Sequence, residues 1–148
     1  MKTASIFKLN HGYIIHSLSR TIDGLHLASS PYITLGNNAT IEDVVQKIMI
    51  ALKASQEGIP RPTDWTKSNK DFLNSIGLKS GRELEKKNVK YCSIRMDNEK
   101  INFTSSRHAT SPDKGFLHKP PEEDVSVPIN ADIELIGNAL ADAFSRCE

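Results

Sequence analysis

With 148 residues, 38% of them hydrophobic and 25% charged, the chain has the length and balance of one globular domain and is too apolar to be disordered. Nineteen basic and eighteen acidic residues leave a net charge of +1, without the concentrated positive charge of a nucleic-acid backbone binder. The opening MKTASIFKLN has no long apolar run, and no stretch of about 18 apolar residues occurs, which argues against a secretory leader and a spanning helix.

In chain order, residues 5–9 form the first expected strand. Asp23-Gly24 then signals a two-residue turn. Folding about it sets Ile22 against Leu25 and Leu18 against Ser29, with Ile14 and Leu27 on the same face. His16 and His26 lie on these strands and do not face one another in that register, and a further strand is expected at 32–35. Residues 40–55 follow as a helix, stopped by Gly58 and Pro60. Its apolar residues Ile41, Val44, Val45, Ile48 and Leu52 recur at helical spacing, and Thr40 with Asp43 makes a capping box.

The connector, about residues 58–87, opens GIPRPTDW and carries two short helices, at 69–76 and at 81–87. The second is introduced by Ser80 and Glu83 as a capping box. Trp65 is expected to anchor this connector to the core, with an exposed interface anchor as the alternative. YCSIRM (91–96) and INFTSS (101–106) flank the turn DNEK as a hairpin. Pairing Met96 with Ile101 puts Ile94 opposite Phe103 and Cys92 opposite Ser105. Those apolar residues then share one face, and Tyr91, Ser93, Arg95, Asn102 and Thr104 share the other. Residues 107–124 read as a long, charged loop, followed by a short strand at 125–127 that Pro128 keeps at an edge or strand end.

The last helix echoes the first. NATIEDVVQKIMIALKAS (38–55) and NADIELIGNALADAFSRC (130–147) align without a gap, and Ile133, Ile136, Gly137, Leu140 and Phe144 repeat the apolar stripe behind the N-cap Asp132. The expected fold is therefore α+β: an antiparallel, twisted sheet, or two small ones, with packed helices. It forms a single domain, 1–148, of two diverged strand-strand-helix halves, at about 1–57 and 88–148.

Catalytic signatures are scarce. Phosphate-binding glycine loops, HExxH, paired CxxC and GxSxG are all missing from the sequence. Cys92 and Cys147 stand far apart, fit no metal or redox spacing and read as reduced thiols, and the sequons at Asn38 and Asn102 read as coincidental. No metal and no cofactor is expected. His108, His118 and Lys119 share one segment and leave a small acid-base ribonuclease as the rival reading, since imidazole titrates near neutral pH. Glu122, Glu123 and Asp124 read either as a solvated turn or as an acidic contact for a basic partner. Arg82, Arg95 and Arg107 could pair with a partner's carboxylates.

The stretch FLNSIGLKSGRELEKKNVKYCSIRM, the hairpin after it, and the capped helix IELIGNALADAFSRC resemble the immunity proteins of bacterial contact-dependent growth inhibition systems, the CdiI family. The lead-in LGNNATIEDVVQKIMIALKAS is similar too, so the resemblance spans most of the chain. It implies a non-enzymatic cytoplasmic protein that binds and neutralises the C-terminal toxin domain of a cognate CdiA, a nuclease in many relatives, as a monomer in a one-to-one complex. It implies no direct contact with nucleic acid or membrane. The near-neutral charge departs from the acidic balance common among nuclease inhibitors. On loop length and charge, the expected toxin contacts are Arg107, His108, Lys114, Phe116, His118, Lys119, Glu122, Glu123 and Asp124, with Trp65 and Asp71 in the connector. An adaptor subunit of a larger assembly remains the other alternative.

Overall fold

The computed structural model describes residues 1–110 and 112–148; Ser111, inside the expected 107–124 loop, lies outside the described residues. The elements run β1 (Lys2–Leu9), β2 (Gly12–Thr21), β3 (His26–Gly36), α1 (Ile41–Ala54), β4 (Glu57–Ile59), α2 (Trp65–Ser75), β5 (Lys90–Met96), β6 (Lys100–His108), β7 (Phe116–His118), β8 (Val125–Pro128) and α3 (Ile133–Ser145). They make an α+β fold. The strands lie in the order β3-β2-β1-β5-β6-β7, with β8 also on β6 and β4 on β2. The pairings are antiparallel except for the short β2–β4 contact.

β1 and β5 meet at the middle of the sheet. From β1 the chain steps outward through β2 and β3 into α1; from β5 it runs through β6 and β8 into α3. One antiparallel seam thus has β1, β2 and β3 followed by α1 on one side, and β5 and β6, then β7 and β8, followed by α3 on the other. Both helices cover the same sheet face, where Ile6, Ile15, Ile94, Ile101 and Phe103 meet Val44, Ile48, Leu52, Ile136, Leu140 and Phe144. α1 starts with the expected capping box, Asp43 N donating to Thr40 Oγ1 and Thr40 N to Asp43 Oδ2, each at 3.1 Å. Asp132 caps α3 by accepting from Leu135 N at 2.8 Å. Gly137 sits where α1 crosses: a Cβ there would come within 2.9 Å of Ile41 Cγ1, so a larger residue would need the Ile41 side chain to shift.

The β5–β6 hairpin has the expected register, with Met96 opposite Ile101, Ile94 opposite Phe103 and Cys92 opposite Ser105. The β2–β3 hairpin does not: it is shifted by one residue, with Arg20 opposite His26 and Leu18 opposite Ala28. The loop is three residues long, not two. Thr21 N donates to Leu25 O at 2.8 Å, Gly24 N donates to Thr21 O at 3.0 Å, and Gly24 takes φ +93°. The Thr21 hydroxyl holds this loop, donating to Asp23 Oδ1 at 2.6 Å and accepting from Leu25 N at 2.9 Å. The shift leaves Ile22 81% exposed and pairs Leu27 with Ser19, on the opposite face from Ile14 and Leu18. A bulge at His16/Ser17 resets the pairing, and β3 continues through the strand expected at 32–35.

Other boundaries also move. β1 begins at Lys2, before the expected 5–9. α2 begins at Trp65 and not at 69, because Asp64 caps it, accepting from Lys67 N at 3.0 Å. The helix expected at 81–87 is a 3-10 turn, Gly81–Leu84, in which Ser80 accepts from Arg82 N, so the Ser80/Glu83 capping box is replaced by a tighter bond. Much of the expected 107–124 loop is built into structure: β6 runs on to His108, β7 pairs with it, and Pro121–Glu123 forms a 3-10 turn. The cysteines are far apart only in sequence: both are free, and their sulfurs lie 3.8 Å apart.

On the second sheet face α2 and the 3-10 turn cover one end, packing Phe72, Ile76, Leu78 and Leu84 against Phe7, Leu9 and Ile14. His16 is 3% exposed there, its ring 5.4 Å edge-on to Phe72 and its Nδ1 2.8 Å from the Ser17 carbonyl. Burial lowers its pKa from the ordinary 6.5, with the bond to Ser17 opposing. The unfolded chain therefore takes up that proton more readily than the folded one. The stability contributed by neutral His16 is fully present above the unfolded value of 6.5 and is lost as pH falls from there towards the lower folded value. Urea midpoints measured from pH 7.5 to 5 are expected to fall in this window, with a smaller fall in His16→Phe; equal falls in the two proteins would refute the assignment.

Candidate functional site

The other end of that second face is open. β1, β2, β5 and β6 turn Thr3, Leu18, Ser93 and Thr104 into the floor of a cleft of about 1010 Å³. β2 and β3 bring Arg20 and His26 to one wall; β5 and β6 bring Arg95 and Arg107; and the chain from β7 to β8 supplies His118, Lys119 and Asp124 as a rim. The convergence follows from pairing. Thr3 stands opposite both Leu18 and Arg95, so side chains from three strands share one face.

The charges here are not equivalent. Lys119 Nζ lies 3.0 Å from Glu123 and 3.1 Å from Glu148 and donates to Arg146 O at 2.9 Å, so it holds the rim to the chain end. Glu123 first, and Glu148 after it, hold its ammonium above the ordinary lysine value. Arg95 reaches Asp124 at 3.5 Å, and Asn102 Nδ2 donates to the same Asp124 oxygen at 2.9 Å. The other oxygen, Asp124 Oδ1, is buried and has no hydrogen-bond partner among the described residues. Arg20 and Arg107 are exposed, and among the described residues neither has a carboxylate at ion-pair distance. The cleft thus offers two guanidiniums without an ion-pair partner among the described residues, which are weakly hydrated bidentate donors.

Of the residues singled out from the sequence, the fold brings Arg107, His118, Lys119 and Asp124 together. His108 is withdrawn: its Nε2 donates to Val89 O at 2.8 Å and its ring lies 4.6 Å from Phe116. Phe116 belongs to the aromatic stack with Tyr91 and Phe7, on which His118 lies nearly parallel to Tyr91. Of the three side chains of the ribonuclease reading, His118 and Lys119 line the cleft and His108 does not, while Lys119 is held by two carboxylates. Glu122 is exposed and Glu123 pairs inward, while Lys114 is exposed outside the cleft lining. Trp65 is not the expected core plug: it is 46% exposed, with the Arg61 guanidinium 5.5 Å above its ring, and shares a separate cleft of about 500 Å³ with Asp71 and Tyr32.

Arg20 and His26 were missed by sequence reading. The available signal was alternation along β2, which runs Ile14, His16, Leu18, Arg20 on one face; what they would meet depends on the β1–β5 seam, which no local pattern announces. Among the described residues no cluster of three His, Cys, Asp or Glu side chains is placed to hold a metal ion, and no helix is long and apolar enough to cross a membrane.

Two solved structures share the fold over 99% of this chain. One is a protein of unknown function, NMB0488, from Neisseria meningitidis, with a TM-score of 0.79, 21% identity and 95% of that chain covered. The other is a CdiA-CT/CdiI toxin and immunity complex from Yersinia pseudotuberculosis, with a TM-score of 0.77, 17% identity and 97% of that chain covered. No curated protein matches. The family model described as CdiI, CDI immunity protein, matches residues 2–147. The chain belongs to the CdiI family of immunity proteins.

Proposed function

We propose that this chain binds the C-terminal toxin domain of a cognate CdiA one-to-one in the cytoplasm and blocks it without catalysing a reaction. The observation that carries this reading is the family match over residues 2–147. The structural likeness to a chain from a toxin and immunity complex is in keeping with it. Within the protein, the cleft is the docking face we favour. Its Arg20 and Arg107, without carboxylate partners among the described residues, fit an acidic segment of the toxin. Protection at cellular concentrations asks for a nanomolar complex, about −12 kcal/mol, within reach of an interface of about 800 Å² per partner.

Co-expression with the C-terminal toxin domain of the cognate CdiA tests the reading. Restored growth and a co-purified one-to-one complex are expected. Continued killing, with no complex on a sizing column, would overturn it for that pair.

A further inference from the structure

Cys92 and Cys147 are separated by 55 positions, yet the fold places their sulfurs 3.8 Å apart. Cys92 is fully buried on β5, beneath α3. Cys147, half-buried, follows α3 in a turn pinned on both sides. Its own N–H donates to Phe144 O at 3.2 Å, and Glu148 exchanges hydrogen bonds with β6, donating to Ser106 O at 3.0 Å and accepting from His108 N at 2.9 Å.

The geometry points to Cys92 and Cys147 as an oxidation site, in which hydrogen peroxide closes the two thiols into an intramolecular disulfide between the C-terminal turn and β5. A disulfide needs its sulfurs about 2.0 Å apart, so closure asks for a movement of less than 2 Å, on the scale of a side-chain rotation at Cys147. The roles divide by environment. The bond from Cys92 holds the Cys147 thiol down to about 6, while the same bond, and then burial, pushes the Cys92 thiol up. The more accessible and more acidic Cys147 sulfur attacks a peroxide oxygen; the O–O bond breaks, one water leaves, and a sulfenic acid forms. The Cys92 sulfur then displaces that hydroxyl, which departs as water with the Cys92 proton. Two thiols lose two electrons and one peroxide becomes two waters.

The site does not rest on the toxin-binding reading. Its effect falls on the turn beside Arg146 and Glu148, which hold Lys119 on the cleft rim.

The full-length protein, treated with hydrogen peroxide at neutral pH, is read by intact mass and by thiol alkylation after unfolding. The expected result is a monomer lighter by two hydrogens, without alkylatable thiol, restored by dithiothreitol, and with a thermal midpoint raised by roughly 5–10 °C. The folded chain is expected to cross-link at least about tenfold faster than the urea-unfolded chain, which must first close a long loop. Cys147→Ser is expected to leave Cys92 unmodified. Sulfinate on Cys147 with Cys92 still alkylatable, an intermolecular dimer, two unchanged thiols, or equal rates folded and unfolded would each overturn the site.

Discussion

Reversing Arg20 and Arg107 together to glutamate is expected to weaken the complex with the cognate toxin domain by at least about 100-fold, with little change in the thermal midpoint of the free protein. Both side chains are exposed and, among the described residues, neither is spent on an internal carboxylate, so their removal leaves no orphaned charge there. At an interface, truncating one good arginine contact costs about 2 kcal/mol or more, and reversal adds like-charge repulsion against an acidic partner. Calorimetric titration at low and moderate salt checks this, with the loss largest at low ionic strength and carried partly by slower association. Lys114→Glu serves as the contrast: it is exposed but outside the cleft, and a change of less than about threefold is expected. The reverse ranking would move the docking face from the cleft to the tip of the segment between β6 and β7.

That contrast marks where the sequence was legible. The β5–β6 register could be read because Cys92, Ile94, Met96, Ile101 and Phe103 alternate cleanly, and a one-residue slip would expose them all. The two capped helices could be read because Thr40, Asp43 and Asp132 do their work within three residues. The β2–β3 register could not, because the Thr21 hydroxyl converts an apparent two-residue turn into a three-residue one, and a side-chain bond outweighs the dipeptide signal. Trp65 was misjudged for a similar reason: Arg61 stacks on it in the open, so the ring need not seek the core. The cleft was only half legible. Charge in the 107–124 segment flagged Arg107, His118, Lys119 and Asp124, but their meeting with Arg20 and Arg95 depends on β1 pairing with both β2 and β5, across more than eighty residues. The cysteine pair was hidden for a related reason, since α3 returns Cys147 to a strand laid down 55 residues earlier.

Phe103→Ala is expected to have the largest effect on stability, about 3–5 kcal/mol. The side chain is fully buried on β6, opposite Ile94 on one side and Val125 on the other, under the two helices. Removing it takes away both the transfer free energy of the ring and the contacts that line its cavity, in a site walled by two strands and so poorly able to collapse. Against a total of about 5–15 kcal/mol for a natural domain, that loss should lower the thermal midpoint by roughly 10 °C or more. Ile22→Ser provides the internal comparison, since Ile22 projects into solvent from the three-residue loop, and a change within about 0.5 kcal/mol is expected. Urea unfolding of the three proteins measures both. The functional consequence separates core from cleft. Phe103 does not line the cleft, so the folded fraction of Phe103→Ala should bind toxin with wild-type affinity at low temperature and lose protection only as the fold melts. Arg20→Glu/Arg107→Glu should do the opposite, staying folded while failing to bind. A Phe103→Ala protein that is well folded by urea titration yet binds weakly would show that the helix-covered face, and not the open one, carries recognition.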